Sequence, residues 1–166
     1  MHPAEIPEAD LLSQCEVTRT RRSGPGGQNR NKVETAIVLK HRSTSIIAQA
    51  SERRSQAENQ QMALFRLRIQ LAIHVRIVRD LNSGCSELWR SRCRGTQIEI
   101  RDTHEDFPAL LAESLDFYEQ LDGRVPDVAA FLLTTISQLT KLWKKAPEAL
   151  RLVNSDRSRR GLRILE

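Results

Sequence analysis

The sequence predicts an α+β chain: a small sheet of three or four strands packed with one long helix, followed by an α-helical C-terminal region. Three observations lead there. Short β-branched and apolar segments flank a glycine-rich stretch within the first 50 residues. The hydrophobic period lengthens to three or four from Ser55 onward. Further on, Pro108, Pro126 and Pro147 each stand where a helical run begins. The 166 residues are enough for a compact domain or a small domain with an appendage. The expected division is an N-terminal tail (1–15), a loop-bearing domain (16–83), a helical region (84–156) and a basic tail (157–166).

Residues 16–21 alternate weakly and read as a short strand entering the glycine-rich stretch. Residues 35–40 and 44–50 are β-branched and apolar, separated by a polar turn, and read as an antiparallel hairpin. From Ser55, the residues Leu64, Leu67, Leu71, Val75 and Val78 recur at helical spacing as far as Leu81. This is one long amphipathic helix, able to cover a face of the sheet. Ser55 with Glu58 fits a capping box, and Asn82-Ser83-Gly84 provides the stop. Arg66, Arg68, Arg76 and Arg79 make much of its other side basic, either as solvated surface or as phosphate contacts.

The character changes between residues 82 and 98. A helix running to Leu121 follows Pro108, with Gly123 beyond its end, and Pro126 and Pro147 open two more. Within residues 127–145, Thr135 and Gln138 have capping-box spacing, which would break the run and give a helix-turn-helix shape. Plain helical packing is the competing reading, because the turn lacks glycine. The last ten residues are rich in arginine and read as flexible, either merely soluble or a tether to a polyanion.

The formal charge of +5 conceals an asymmetry. Residues 16–80 hold 13 Lys or Arg against 5 Asp or Glu, whereas residues 99–123 hold 1 against 8. The loop-bearing half is therefore the polyanion-binding half, and the acidic stretch is free to fold back on it or to meet a basic partner. Cys15, Cys85 and Cys93 form no close pair, which fits free thiols in a reducing compartment, the cytoplasm. His2, His41, His74 and His104 lack ligand spacing, so neither a metal nor a cofactor is expected. The first 14 residues are acidic and unlike a targeting segment, and no stretch approaches a membrane span.

The most informative stretch is Ser23-Gly24-Pro25-Gly26-Gly27-Gln28-Asn29, preceded by Arg21 and Arg22 and followed by Arg30, Asn31 and Lys32. Three glycines and a proline in four positions suit neither a helix nor a central strand. The cations would bind polyanion, while the glycines let backbone approach a partner closely at Gln28. This Gly-Gly-Gln with Asn31 three residues on resembles the signature of class I peptide chain release factors and their ribosome-rescue relatives. The run Glu52-Arg53-Arg54-Ser55-Gln56-Ala57-Glu58-Asn59 resembles a second block of that family. The two blocks span residues 16–80.

The resemblance implies a peptidyl-tRNA ester hydrolase acting on the ribosome, with Gly26, Gly27 and Gln28 as the catalytic residues. Gly24, Pro25, Asn31 and Lys32 would support the loop. Arg21, Arg22, Arg30, Arg54, Ser55, Gln56 and Asn59 would brace the domain or touch RNA, as would Arg157, Arg159 and Arg160 in the basic tail. Read alone, Ser55 and its neighbours are simply a helix cap. The implied partners are large-subunit ribosomal RNA, peptidyl-tRNA and a methyltransferase that modifies Gln28 at N5, with the chain acting as a monomer. No nucleophilic serine elbow, Cys/His pair or carboxylate pair accompanies the loop, so water is the expected nucleophile.

Two departures accompany the match. Ser43-Thr44-Ser45 stands where relatives usually have Pro-Thr-Gly. About 20 residues precede the loop, which places the chain with codon-independent rescue factors rather than with stop-codon readers. The helical region is longer than the simple tail those factors use. A non-catalytic ribosome-binding or RNA-binding protein that keeps the loop as a contact is the alternative, though such a binder would need the arginines and not the glutamine. A nucleotide-phosphate loop is disfavoured, since no Gly-Lys-Ser/Thr follows the glycines.

Overall fold

The structure is a computed structural model that describes residues 1–20 and 35–166. It is α+β, and its contacts divide into two compact units, Pro3–Leu71 and Ala72–Glu166, with His2 belonging to the second. The division falls in the last turn of a long helix, earlier than the change of character seen in the sequence.

The first unit opens with a 3-10 turn, Pro3–Glu5, and a short helix, α1 (Glu8–Ser13). The expected tail is thus built into the fold, with Ala4 and Leu11 fully buried. Three antiparallel strands follow in the order β1 (Cys15–Thr20), β2 (Ala36–His41) and β3 (Ile47–Ala50). Ile37 pairs with Ala50 and Leu39 with Ala48, so these four buried residues share one face by the two-residue period of a strand. Ala63, Leu67 and Leu71, spaced four apart on α2 (Gln56–His74), are completely buried and supply the helical side of the core. Small alanines on β3 leave room for the leucines of the helix.

The β2–β3 turn works without glycine. Ser45 takes φ 59°, and its N–H donates to the His41 carbonyl at 2.8 Å. His41, buried, bonds Thr44 Oγ1 at 2.8 Å and Gln14 Oε1 at 3.4 Å, and its burial depresses its pKa.

The helix ends at His74 rather than at Leu81, a correction to the sequence reading. Arg76 turns its guanidinium back to donate to the Ala72 carbonyl at 2.8 Å and the Ile73 carbonyl at 2.5 Å, closing the helix terminus. Beyond it, the Ile77 and Arg79 amides donate to Asp116 Oδ1 and Gln120 Oε1. Partners about 40 residues away in sequence replace the helical ladder, and no local pattern announces them.

The second unit contains α3 (Glu87–Ser91), a two-stranded ribbon of β4 (Cys93–Arg94) and β5 (Gln97–Ile98), and helices α4 (Phe107–Gln120), α5 (Val125–Phe131), α6 (Ile136–Lys144) and α7 (Pro147–Arg159). Every residue from Phe107 to Tyr118 is buried, which makes α4 the centre of this unit. Trp89 donates Nε1–H to the Leu132 carbonyl at 2.8 Å, and Trp143 to Ser114 Oγ at 2.9 Å, so both large aromatics are buried with their polar atoms satisfied.

The acidic stretch is partly internal. Glu113 accepts from the Ser86 N–H and Oγ at 2.7 and 2.6 Å. Asp116, fully buried, pairs with Arg79 at 2.8 Å, yet burial still holds its carboxyl above the usual carboxylate range. These two carboxylates are committed to the unit's own core rather than presented to another surface.

The threonine break is present: Leu133 turns left-handed at φ 54°, and Thr135 caps α6 by accepting from the Gln138 N–H at 3.2 Å. The basic end is a correction. It is α-helical to Arg159, then turns back, with Leu165 N–H donating to Asn154 Oδ1 at 2.8 Å and Asn154 Nδ2 donating to the Leu165 carbonyl at 3.0 Å. Among the described residues, no helix is long and apolar enough to cross a membrane, and no acidic, Cys or His cluster could hold a metal ion.

Candidate active site

Arg21, Arg22, Gly24, Pro25, Gly26, Gly27, Gln28, Arg30, Asn31 and Lys32 lie outside the described residues. What the structure describes is the frame on either side. Thr20 and Ala36 are register partners at one end of the β1–β2 pair, so the two ends of the Gly-Gly-Gln segment leave the sheet side by side. From Glu16 to Thr20, β1 is exposed along its length, with Val17 and Arg19 open to solvent next to that end.

Asn59 ties the returning end of the segment to the second motif. Its side chain is completely buried on the first turn of α2. Nδ2 donates to the Thr35 carbonyl at 2.6 Å and to the Arg53 carbonyl at 3.0 Å, while Oδ1 accepts from the Arg53 N–H at 2.9 Å. An asparagine suits this position because one planar group offers two donors and an acceptor. A carboxylate there would face two carbonyl oxygens.

The rest of the second motif is on the surface. Arg54 and Ser55 are exposed, and Gln56 is half-buried. Ser55 Oγ accepts from the Glu58 N–H at a long 3.5 Å, so it acts as a helix cap. Glu52 lies against Arg66 at 2.5 Å, and this hydrogen bond, with those from backbone amides, lowers its pKa to about 2. Arg66 also donates to the Gln49 carbonyl at 2.7 Å, fastening α2 to β3. The sequence reading gave Thr35, Glu52 and Arg66 no bracing role; Glu52 and Arg66 sit 14 residues apart and pair only once the helix packs on the strand.

In the other unit, the predicted tail arginines are used internally. Arg157 donates Nε–H to the Arg163 carbonyl at 2.8 Å. Arg159 and Arg160 pair with Asp156 at 3.2 and 2.8 Å. Tyr118 donates to the same carboxylate at 2.8 Å, and Gly123, at φ 71°, packs where a Cβ would lie 3.1 Å from both groups.

The geometry thus provides a braced frame with basic and polar surface around a segment bearing an amide side chain and three glycines. Comparison with known proteins agrees with it. The RF-1 domain matches residues 4–101. Peptide chain release factor PrfB1, chloroplastic, of Arabidopsis thaliana is 45% identical over 69 residues, covering 42% of this chain and 14% of that protein. Peptide chain release factor 1 of Chlorobaculum tepidum is 42% identical over 67 residues, 40% of this chain and 18% of its own length. Its namesake in Xylella fastidiosa is 37% identical over 75 residues, 41% of this chain and 21% of that protein. The chain therefore spans about a fifth or less of the length of these relatives. With its matched region exceeding half of the chain, the protein belongs to the RF-1 domain family, that of the class I peptide chain release factors.

Proposed function

We propose that this protein hydrolyses the ester joining a nascent peptide to transfer RNA on the ribosome, and that it does so without reading a stop codon. The observation that carries the reading is the intact Gly26-Gly27-Gln28 with Asn31, in a segment whose flanks are paired at Thr20 and Ala36 and braced by Asn59. The finer claim, codon independence, follows the resemblance of the loop and of the second motif to ribosome-rescue relatives.

In the proposed mechanism, the Gln28 backbone N–H donates to the oxyanion that develops as water attacks the ester carbonyl. One such donor is worth about 3 to 4 kcal/mol in a water-poor site. Gly26 and Gly27 leave the backbone without side chains, so the amide can approach the terminal ribose. The Gln28 side chain orients water and excludes larger nucleophiles. Proton transfer and the remaining alignment come from ribosomal RNA and the transfer RNA, so the isolated chain is close to inert. N5-methylation of Gln28 by a methyltransferase and action in the cytoplasm as a monomer belong to the same proposal.

Single-round release of labelled peptide from ribosomes carrying peptidyl-tRNA tests it. The intact chain should release peptide. Gly27→Ala, whose Cβ would hold the Gln28 amide back from the ribose, should fall by about 10² or more while still binding. Gln28→Ala, which keeps the backbone donor and loses the water-orienting side chain, should fall by less. Binding without release by the intact chain would make the protein a non-catalytic ribosome ligand.

A further inference from the structure

The basic side chains of the C-terminal unit differ in whether the protein itself neutralises them. Asp156 holds Arg159 and Arg160, and Asp127 lies 3.1 Å from Arg124. Lys141, Lys144 and Arg163 have no acidic partner among the described residues, yet all three line one cleft of about 560 Å³ between α6 and residues 163–166. Lys141 and Lys144 stand three residues apart on α6, so they are neighbours on one helical face, where like charges repel. Both are exposed, as is Ser137, one turn earlier on the same helix, and its hydroxyl has no hydrogen-bond partner among the described residues. Glu166 is the acidic side chain at the rim, leaving the lining net positive.

Nothing in the packing of the unit requires this concentration of charge. The buried side of α6 consists of Leu139, Leu142 and Trp143, and Thr135 caps its start without help from the lysines. Two lysines and an arginine with a free hydroxyl donor beside them form a set that matches phosphate oxygens spaced along a strand. The fold-back that forms the cleft is fixed by the paired Asn154 and Leu165 bonds, so Arg163 is presented by an ordered segment.

We propose that this cleft binds the phosphate backbone of an RNA strand, giving the C-terminal unit its own contact with RNA. The cations that do this work are Lys141, Lys144 and Arg163, and not Arg157, Arg159 and Arg160, which the unit uses internally. The inference deepens the proposed ribosomal function by assigning a docking role to the helical unit, and it is testable apart from catalysis.

The test measures affinity of the full chain for a fluorescein-labelled single-stranded RNA of about 20 nucleotides and for purified ribosomes, across a salt series. Lys141→Gln/Lys144→Gln/Arg163→Gln is compared with a charge-matched control at exposed sites outside the cleft, Arg94→Gln/Arg101→Gln/Arg151→Gln. The cleft variant should bind about tenfold or more weakly, and its slope of log affinity against log salt should fall by about 2, since each phosphate contact contributes roughly 0.7. The control should lose much less. Lys141→Arg/Lys144→Arg should keep wild-type affinity, which a folding defect would not explain. Equal losses in the cleft variant and the control, or loss of binding to labelled polyglutamate with RNA binding unchanged, would overturn the proposal. Intact chain that binds through the cleft and releases no peptide would refute the catalytic reading alone.

Discussion

Replacing Asn59 by alanine removes the link between the Gly-Gly-Gln segment and the second motif, and the structure sets the expected cost. Three hydrogen bonds are lost at once. The Thr35 carbonyl belongs to a buried residue, so leaving it without a donor costs about 1 to 3 kcal/mol. Arg53 is exposed, and water can replace its two bonds at about 0.5 kcal/mol each. The sum is about 2 to 4 kcal/mol, read as a lower midpoint in urea unfolding at constant slope. Asn59→Asp should be at least as damaging at neutral pH, because a buried carboxylate would face the Thr35 and Arg53 carbonyls. Its pKa would rise, so that variant should regain stability as pH falls through the shifted value, which the alanine variant should not do. Peptide release by folded Asn59→Ala should drop about tenfold or more, because Thr35 no longer fixes the return of the loop. A loss of stability below about 0.5 kcal/mol, or the same pH profile for the two variants, would refute this account of Asn59.

Three other perturbations follow from the same geometry. Ser45→Gly should raise stability by about 0.5 to 1 kcal/mol in urea unfolding, since Ser45 sits at φ 59° and relief of left-handed strain outweighs glycine's entropy cost. Arg79→Met should cost about 3 to 5 kcal/mol by leaving the fully buried Asp116 without its guanidinium, and Asp116→Asn in the same background should restore part of it. Because Asp116 is held above the ordinary range, the cost of Arg79→Met should grow as pH rises through that range. The Glu52–Arg66 pair acts in the opposite sense: its stability is present above the unfolded carboxyl value of about 4.5 and is lost as pH falls toward 2. Both groups are largely exposed, so Glu52→Gln should cost only a few tenths of a kcal/mol, and NMR titration should find Glu52 near 2.

Signals carried within a few residues were legible in the sequence. The strands around the loop, the prolines opening α4, α5 and α7, and the Thr135 cap are all local, and each has its structural counterpart. What stayed hidden depends on partners far apart in the chain. The end of α2 at His74 is one such feature, because Asp116 and Gln120 take over the backbone donors beyond it. The internal use of Arg159 and Arg160 is another, since Asp156 becomes their counter-ion only on the formed helix α7. The anchoring of residues 1–15 escaped notice because Ala4 and Leu11 bury without any periodic pattern. In the candidate site, the motif residues could be named from sequence alone. That Asn59 is the brace, while Arg54 and Ser55 face solvent, needed the fold.

The central claim is ester hydrolysis on the ribosome irrespective of the codon. It is tested most directly by single-round release of labelled peptide with a stop codon, a sense codon or a truncated message in the decoding site, measured side by side. The account predicts similar release rates in all three, each lowered about 10² or more by Gly27→Ala. Release confined to the stop codon, or release unchanged by Gly27→Ala, would contradict it.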